Sequence, residues 1–469
     1  MLFNSFQYWI FFFIVLAFFY SVPFRVGKVL LLLASYVFYM WWDPRFIVLI
    51  LTSTVVDYFL GIQLEVASGR RKKFLLIISL VVNLGILGFF KYYNFFASSL
   101  ATLLHLSQSS VILRIILPVG ISFYTFASLS YTIDVYWGKM KAVRNFIDYA
   151  FFIAFFPHLI AGPIIRARQF ISQIEYWRRP AAIVVQSGTI LILSGLLKKI
   201  VFADRFAVVS DSYFSDPSAH PGWLSAWTGC VAFANQVFFD FSGYTDIARG
   251  CAKLLGFEFP LNFARPALSR NPLDLWQRWH ITLSLWLRDY LFMPLSRMRK
   301  GRFVLYRNLM LVMVLVGLWH GANWTFVAWG AYQGLLLIGY RLFDWVTSGT
   351  PIANVMRKRY FTPFSIGLMF LSYVVSIAFF RARTLKDSGF ILSAMFGFQH
   401  VTGEFLFTTG TIVLFFISLF LAVAQERNQF IDRLAFAPAR VQIPCYVCAF
   451  LALELFPVTS QVPFIYFQF

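Results

Sequence analysis

Charge is scarce in this sequence. Only 13% of its 469 residues are Asp, Glu, Lys or Arg, while 59% are hydrophobic. A water-soluble chain usually carries about 25% charged and about 45–50% apolar residues, so a single core packed in water is excluded. Cysteine is scarce too: there are four, which makes no disulfide framework. Cys445 and Cys448 form a Cys-x-x-Cys, but within the apolar run 441–456, where two small apolar side chains of a membrane helix are expected rather than redox or metal chemistry. No Gly-rich phosphate loop, Ser-His-Asp set or His-Glu-x-x-His pattern occurs. The six histidines lie far apart with no carboxylate cluster beside them, so no metal site is expected.

What the sequence does have is long apolar runs. They fall near 8–24, 28–42, 45–64, 74–100, 111–137, 146–165, 181–204, 223–241, 276–295, 303–320, 322–346, 363–381, 387–398, 406–425 and 441–456. A membrane helix needs roughly 20 apolar residues, and the absence of period-two alternation excludes an outer-membrane barrel. The first run lacks a basic flank and a clear cleavage site, and is expected to be a retained membrane helix. Some runs are too short to span upright and are expected at the interface or as re-entrant segments. The expectation is an all-α, polytopic helical bundle of about 11 transmembrane helices. It forms a single membrane-embedded domain over 1–469, with no obvious internal repeat.

The formal charge of +20 does not indicate nucleic acid. The basic residues form short clusters between apolar runs: Arg70–Lys73, Arg178–Arg179, Arg297–Arg302 and Arg357–Arg359. That is the pattern of cytoplasmic loops in a multi-pass protein, and it places 297–302 and 357–359 on the cytoplasmic side.

Polar groups at membrane depth are costly, which makes them functional candidates. The first candidate stretch is Trp276-Gln-Arg-Trp-His280-Ile-Thr-Leu-Ser-Leu-Trp-Leu-Arg-Asp-Tyr290. Read as one helix, it puts His280, Ser284 and Arg288 on one face beside a Trp/Leu stripe, with Arg278 adjacent. An interfacial helix with Trp anchors and a hydrogen-bonded histidine is the structural alternative. The second is Val316-Gly-Leu-Trp-His320-Gly-Ala-Asn-Trp324. Here His320 closes an apolar run, Gly321 suits a helix break, and Trp319, Asn323 and Trp324 are expected to line a cavity. Its structural alternative is a buried histidine bonded to a backbone carbonyl. If the two flanking segments are straight antiparallel helices, both histidines stand roughly 22–26 Å from the basic loop.

The third stretch, Phe238-Phe-Asp240-Phe-Ser242-Gly-Tyr244-Thr-Asp246, reads as a tunnel wall broken at Gly243 or as a polar surface loop. The fourth, Phe155–Arg166, carries two prolines and a glycine inside an apolar run, the mark of broken, cavity-lining backbone. His158 within it is expected to be a packing residue.

At these residues the chain resembles the membrane-bound O-acyltransferase family, and within it the alginate O-acetylation proteins. The matching stretches are 155–166, Phe239–Asp246, Asn262–Pro266, Trp276–Pro294, Arg307-Asn308, Gly317–Gly334, Phe379–Arg381 and the tail 463–469. D-alanyl transferases of teichoic acid look more distant. Where alginate-type relatives often carry Leu-His-Gly, this chain reads Tyr332-Gln333-Gly334.

The resemblance implies a bundle around a central tunnel, in the bacterial inner membrane, with His320 and His280 at the positions of the family histidines. It implies acyl transfer, acetyl in this branch, from a cytoplasmic thioester, acetyl-coenzyme A, to an extracytoplasmic polysaccharide through a periplasmic acetyltransferase partner. A neutral imidazole, with an ordinary pKa near 6.5, suits removal of a hydroxyl proton, which makes His320 the expected general base. The alternatives are another acceptor (teichoic acid, peptidoglycan, lipid or protein) and a transporter using the same tunnel.

Overall fold

The computed structural model describes every residue except 108, 110, 299, 300, 400–403, 457–463 and 466–469. His400, part of the 297–302 loop and most of the 463–469 tail therefore lie outside the described residues. Among those described, the regular structure is entirely helical, as the sequence leads one to expect. Six helices are long and apolar enough to cross a bilayer: Pro44–Val66, Gly69–Leu103, Ala182–Ser215, Arg302–His320, Arg359–Phe380 and Thr409–Glu426. Phe6–Ser21 is equally apolar but shorter, at 16 residues. Cys445 and Cys448 are exposed on the Ala439–Leu455 helix.

The chain folds into two compact units, one of residues 1–192 and 247–260, the other of 193–246 and 261–469. The first unit is glued by polar side chains, because packing helices against one another in lipid gains little from apolar burial alone. Fully buried Asp57 accepts from Ser79 Oγ at 2.7 Å and from Asn83 Nδ2 at 2.7 Å. Ser53 donates to Asn83 Oδ1 at 2.7 Å and lies 3.0 Å from Ser128 Oγ, so helices Ile47–Val66, Gly69–Leu87 and Ile121–Tyr136 share one buried network. The Phe155–Arg166 stretch is broken as expected. A short helix, Phe156–Leu159, is followed by irregular backbone, and nearly every side chain is buried. His158 is a packing residue there, its Nε2–H donating to the Phe152 carbonyl at 3.0 Å.

The second unit holds both candidate histidines. Its centre is the hairpin of helices Arg302–His320 and Trp324–Thr347. These approach so closely that a Cβ on Gly317 would sit 2.1 Å from the Phe326 carbonyl, and one on Gly330 2.4 Å from that of Met313. Small residues let membrane helices come within direct contact, and here the contact fixes the end of the His320 helix. Gly330→Val should therefore overpack the hairpin and destabilise it by about 1–3 kcal/mol. The expected result is a lower thermal midpoint of the detergent-solubilised protein, with Ala328→Val on the same helix as the control.

Candidate active site

His320 is the last residue of its helix, half-buried, and Gly321 caps it in extended backbone with φ −162°. Gly321 is thus not in the left-handed conformation common at helix ends. Its lack of a side chain serves a different purpose: a Cβ would lie 2.1 Å from the Phe326 ring. The His320 imidazole is ringed by aromatic edges, with centroids of Trp319 at 4.9 Å, Phe380 at 5.1 Å and Trp329 at 5.2 Å. It opens into a cavity of about 20 Å³ lined also by Val237, Phe241, Trp279, Tyr373 and Ile465. That is space for about one water molecule.

His280 does not sit on a straight helix. The chain is helical over Pro272–Arg278 and again over Ile281–Leu287, then turns in a π-helical stretch, Arg288–Phe292. Between the first two pieces His280 adopts the left-handed region with φ 42°. This corrects the reading of one polar face shared by His280, Ser284 and Arg288, and it removes the straight-helix depth argument. A non-glycine residue held there costs on the order of 1–3 kcal/mol, and such strain gathers at functional sites.

What holds His280 is Asn262, which is fully buried. Asn262 Oδ1 accepts from the Thr282 backbone N–H at 3.2 Å and the Thr282 hydroxyl at 2.9 Å, and the His280 Nδ1 lies 3.3 Å away. The backbone of Asn262 also accepts from Ile281 N at 2.9 Å. Because a backbone N–H can only donate, the Asn262 atom facing Thr282 must be the oxygen, and the amide orientation follows. The proton of His280 is then on Nδ1, leaving Nε2 as the lone-pair nitrogen. Among the described residues Nε2 has no hydrogen-bond partner. The ring packs edge-on to Phe241 at 4.7 Å and Trp319 at 5.7 Å, so Trp319 touches both histidines and Phe241 borders both His280 and the His320 cavity.

The third stretch is neither a loop nor broken at Gly243. Residues 239–246 lie inside one helix, Trp223–Leu254, and Gly243 instead admits the neighbouring backbone, its Cβ position being 2.8 Å from the Gly195 carbonyl. The two carboxylates each meet a lysine that sequence reading passed over. Asp246 pairs with Lys198 at 2.5 Å, and Asp240 pairs with Lys199 at 2.7 Å. Lys199 is fully buried and also meets Asp204 at 2.8 Å. Adjacent lysines inside the apolar run 181–204 were the available signal, since a cation at that depth requires counter-charges. Ser242 and Tyr244 are buried, and Tyr244 packs edge-on to Phe464 at 5.1 Å.

The remaining candidates scatter. Asn323 caps the Trp324–Thr347 helix through Thr325 N at 3.1 Å and donates to the Arg383 carbonyl at 3.1 Å. Trp324 is 52% exposed, away from the His320 cavity. Ser284 Oγ bonds the Trp279 carbonyl at 3.4 Å, and Arg288 is exposed beside Asp289. Gln333 is buried in its helix, and its amide has no hydrogen-bond partner among the described residues. Arg278 joins a different feature. With Arg265, Arg270 and Arg359 it lines a chamber of about 630 Å³ whose other walls include Phe238, Ile366, Phe370 and Phe415. Glu426 pairs there with Arg265 and Arg278. A cavity of about 40 Å³ abuts this chamber at Asn235, Phe238, Ala267 and Phe370, and shares Trp279 and Tyr373 with the His320 cavity. Three cavities in this unit thus share lining residues in sequence, from the one bordered by four arginines to the one at His320.

Residues 140–380, which contain both histidines, match the model of the membrane-bound O-acyltransferase family. The chain belongs to that family. Probable alginate O-acetylase AlgI of Pseudomonas aeruginosa is 39% identical over 420 residues, covering 86% of this chain and 78% of that protein. The peptidoglycan O-acetyltransferase of Helicobacter pylori is 33% identical, over 80% of this chain and 75% of its own. The teichoic acid D-alanyltransferase of Bacillus subtilis is 30% identical over 48% of this chain and 59% of its own. As a member of the membrane-bound O-acyltransferase family, the chain is a multi-pass membrane acyltransferase.

Asn262→Leu should strip the acceptor from two Thr282 donors and from His280, at about 1–3 kcal/mol for each buried donor left unpaired. Asn262→Asp keeps acceptor oxygens in place. Acyl transfer normalised to protein level should fall at least about tenfold in Asn262→Leu, the loss of roughly one neutral hydrogen bond at the site, and clearly less in Asn262→Asp.

Proposed function

We propose that this acyltransferase moves an acetyl group from a cytoplasmic thioester, acetyl-coenzyme A, to a hydroxyl destined for an extracytoplasmic polysaccharide of the alginate type. The observation that carries this reading is the run of abutting cavities from the arginine chamber to His320. A thioester donor has an anionic, phosphate-bearing body and a small apolar acyl end. The chamber offers four arginines against one glutamate, and arginine forks match phosphate oxygens. No ion pair holds Arg270 or Arg359 among the described residues, so both are suited to an incoming phosphate. Arg359 belongs to the basic cluster that the positive-inside pattern assigns to the cytoplasm. The bacterial inner membrane is the location that fits such a donor.

In the reaction the acceptor oxygen attacks the thioester carbonyl carbon, and its proton passes to the His320 imidazole. The carbon–sulfur bond then breaks, and the thiolate leaves and takes up the proton as a thiol. His280, with its proton fixed on Nδ1 by Asn262, packs against Phe241 and Trp319, and acts as a positioning residue for these two aromatic neighbours of the His320 site. The acceptor in this reading is a periplasmic acetyltransferase partner that passes the group to the polymer, as the resemblance to the alginate O-acetylation proteins implies. The similarity to AlgI favours alginate over the peptidoglycan and teichoic acid handled by the other relatives.

His320→Ala at unchanged membrane level should lower polymer-bound acetate by about 10²–10⁴-fold, the usual worth of a general base. Normal acetylation would remove His320 from the reaction. In membranes supplied with acetyl-coenzyme A, Arg270→Ala combined with Arg359→Ala should raise the KM for the donor about tenfold or more, the loss expected from one charge-assisted hydrogen bond, with little change in kcat. An unchanged KM would place the donor elsewhere.

A further inference from the structure

Phe464 and Ile465 are among the most deeply buried residues of the second unit, 1% and 2% exposed. They lie far in sequence from every helix that surrounds His320. Their burial is secured by charge as well as by packing of Phe464 on Tyr244. The Ile465 backbone N–H donates to Asp240 Oδ2 at 2.7 Å, while Asp240 Oδ1 accepts from Lys199 at 2.7 Å. The Lys199 ammonium also stands 4.6 Å from the centre of the Phe464 ring, within cation–π range. Both oxygens of one buried carboxylate are therefore used, one to hold the lysine and the other to hold this segment.

The Ile465 side chain lines the His320 cavity. Trp279 and Tyr373 line both that cavity and the passage toward the arginine chamber, whereas Ile465 borders the His320 cavity and not the passage. Ile465 thus borders the series only at its histidine end. That cavity is about 20 Å³, so each carbon added to an acyl group there must displace one of its walls.

We infer that Ile465, clamped by the Asp240–Lys199 pair, is the wall that restricts this enzyme to a two-carbon acyl group. This rests on the reading of the His320 cavity as the site of acyl transfer. Ile465 acts on the acyl chain itself. Asp240 and Lys199 are positioning residues, acting through the backbone of Ile465. Because the anchor is a backbone N–H, changing the Ile465 side chain leaves the ion pair intact.

The experiment compares acetyl-coenzyme A with propionyl-coenzyme A as donors, in membranes carrying the enzyme at matched levels. One methylene in an apolar pocket is worth about 10–200-fold in discrimination. Ile465→Ala should raise the propionyl-to-acetyl transfer ratio about tenfold or more, and Ile465→Phe should depress acetyl transfer as well. Asp240→Asn puts an NH2 where one acceptor oxygen stood, so Lys199 or Ile465 loses its partner. It should move the ratio in the same direction as Ile465→Ala, a change that a merely destabilised protein would not produce. Should Ile465→Ala be inactive, Ile465→Val supplies the same readout. An unchanged ratio in folded Ile465 variants overturns the wall, while inactivity of His320→Ala in the same assay keeps the site. Transfer that survives His320→Ala overturns the site itself.

Discussion

The buried ammonium of Lys199 is the constraint on which the second unit depends. It lies fully buried between Asp240 and Asp204. A charge withdrawn from water is tolerated only when it is paired and hydrogen-bonded, and breaking such a pair is strongly destabilising. Satisfying it ties the π-helical turn Lys198–Ala203 to the Trp223–Leu254 helix, and through the second oxygen of Asp240 to the 464–465 segment. The walls of the His320 cavity are drawn from those same elements: Val237 and Phe241 from the long helix, Ile465 from the segment.

A second arrangement works by the same logic without charge. Asn262 carries no catalytic chemistry of its own, yet its carbonyl oxygen gathers the Thr282 donors and the His280 ring. Together these contacts stabilise the left-handed backbone at His280, which would otherwise be strained. The interrupted helix turns the imidazole toward Phe241 and Trp319 rather than along an interfacial face. With His320 held by the glycine-packed hairpin, two histidines separated by 40 positions come to touch one tryptophan, Trp319. The aromatic walls keep water sparse, and electrostatic contacts made inside such a site are stronger than in bulk solvent.

The two units use polar groups differently. In the first, Asp57, Ser79, Asn83 and Ser53 form a hydrogen-bonded clasp between helices, while the small Gly120 accepts the close approach of the Leu159 carbonyl. In the second, full charges are buried and backbone breaks are frequent, and that is where the candidate chemistry lies. Segments that must bind and release a substrate cannot be built only from uninterrupted helices packed side by side. Irregular backbone at membrane depth persists where it lines a cavity or is covered by protein.

Much of this was legible in the residues themselves. Runs of apolar residues determine a helical membrane protein, because only helices satisfy their own backbone in lipid. The isolated Leu-Trp-His320-Gly and Arg-Trp-His280 stretches mark the candidate site, because a polar ring at that depth requires a reason. Sequence pattern erred at two places, a straight helix through His280 and a break at Gly243, whereas the helix break at Gly321 is present. Only the tertiary structure decided which partners complete the site. Asn262 serves His280 from 18 positions away, Lys199 meets Asp240 across 41, and Asp240 holds Ile465 across 225. Periodicity reports neighbours within a few turns of helix, whereas the pairing of a buried charge or amide is settled by whichever distant group the packing brings within hydrogen-bond reach.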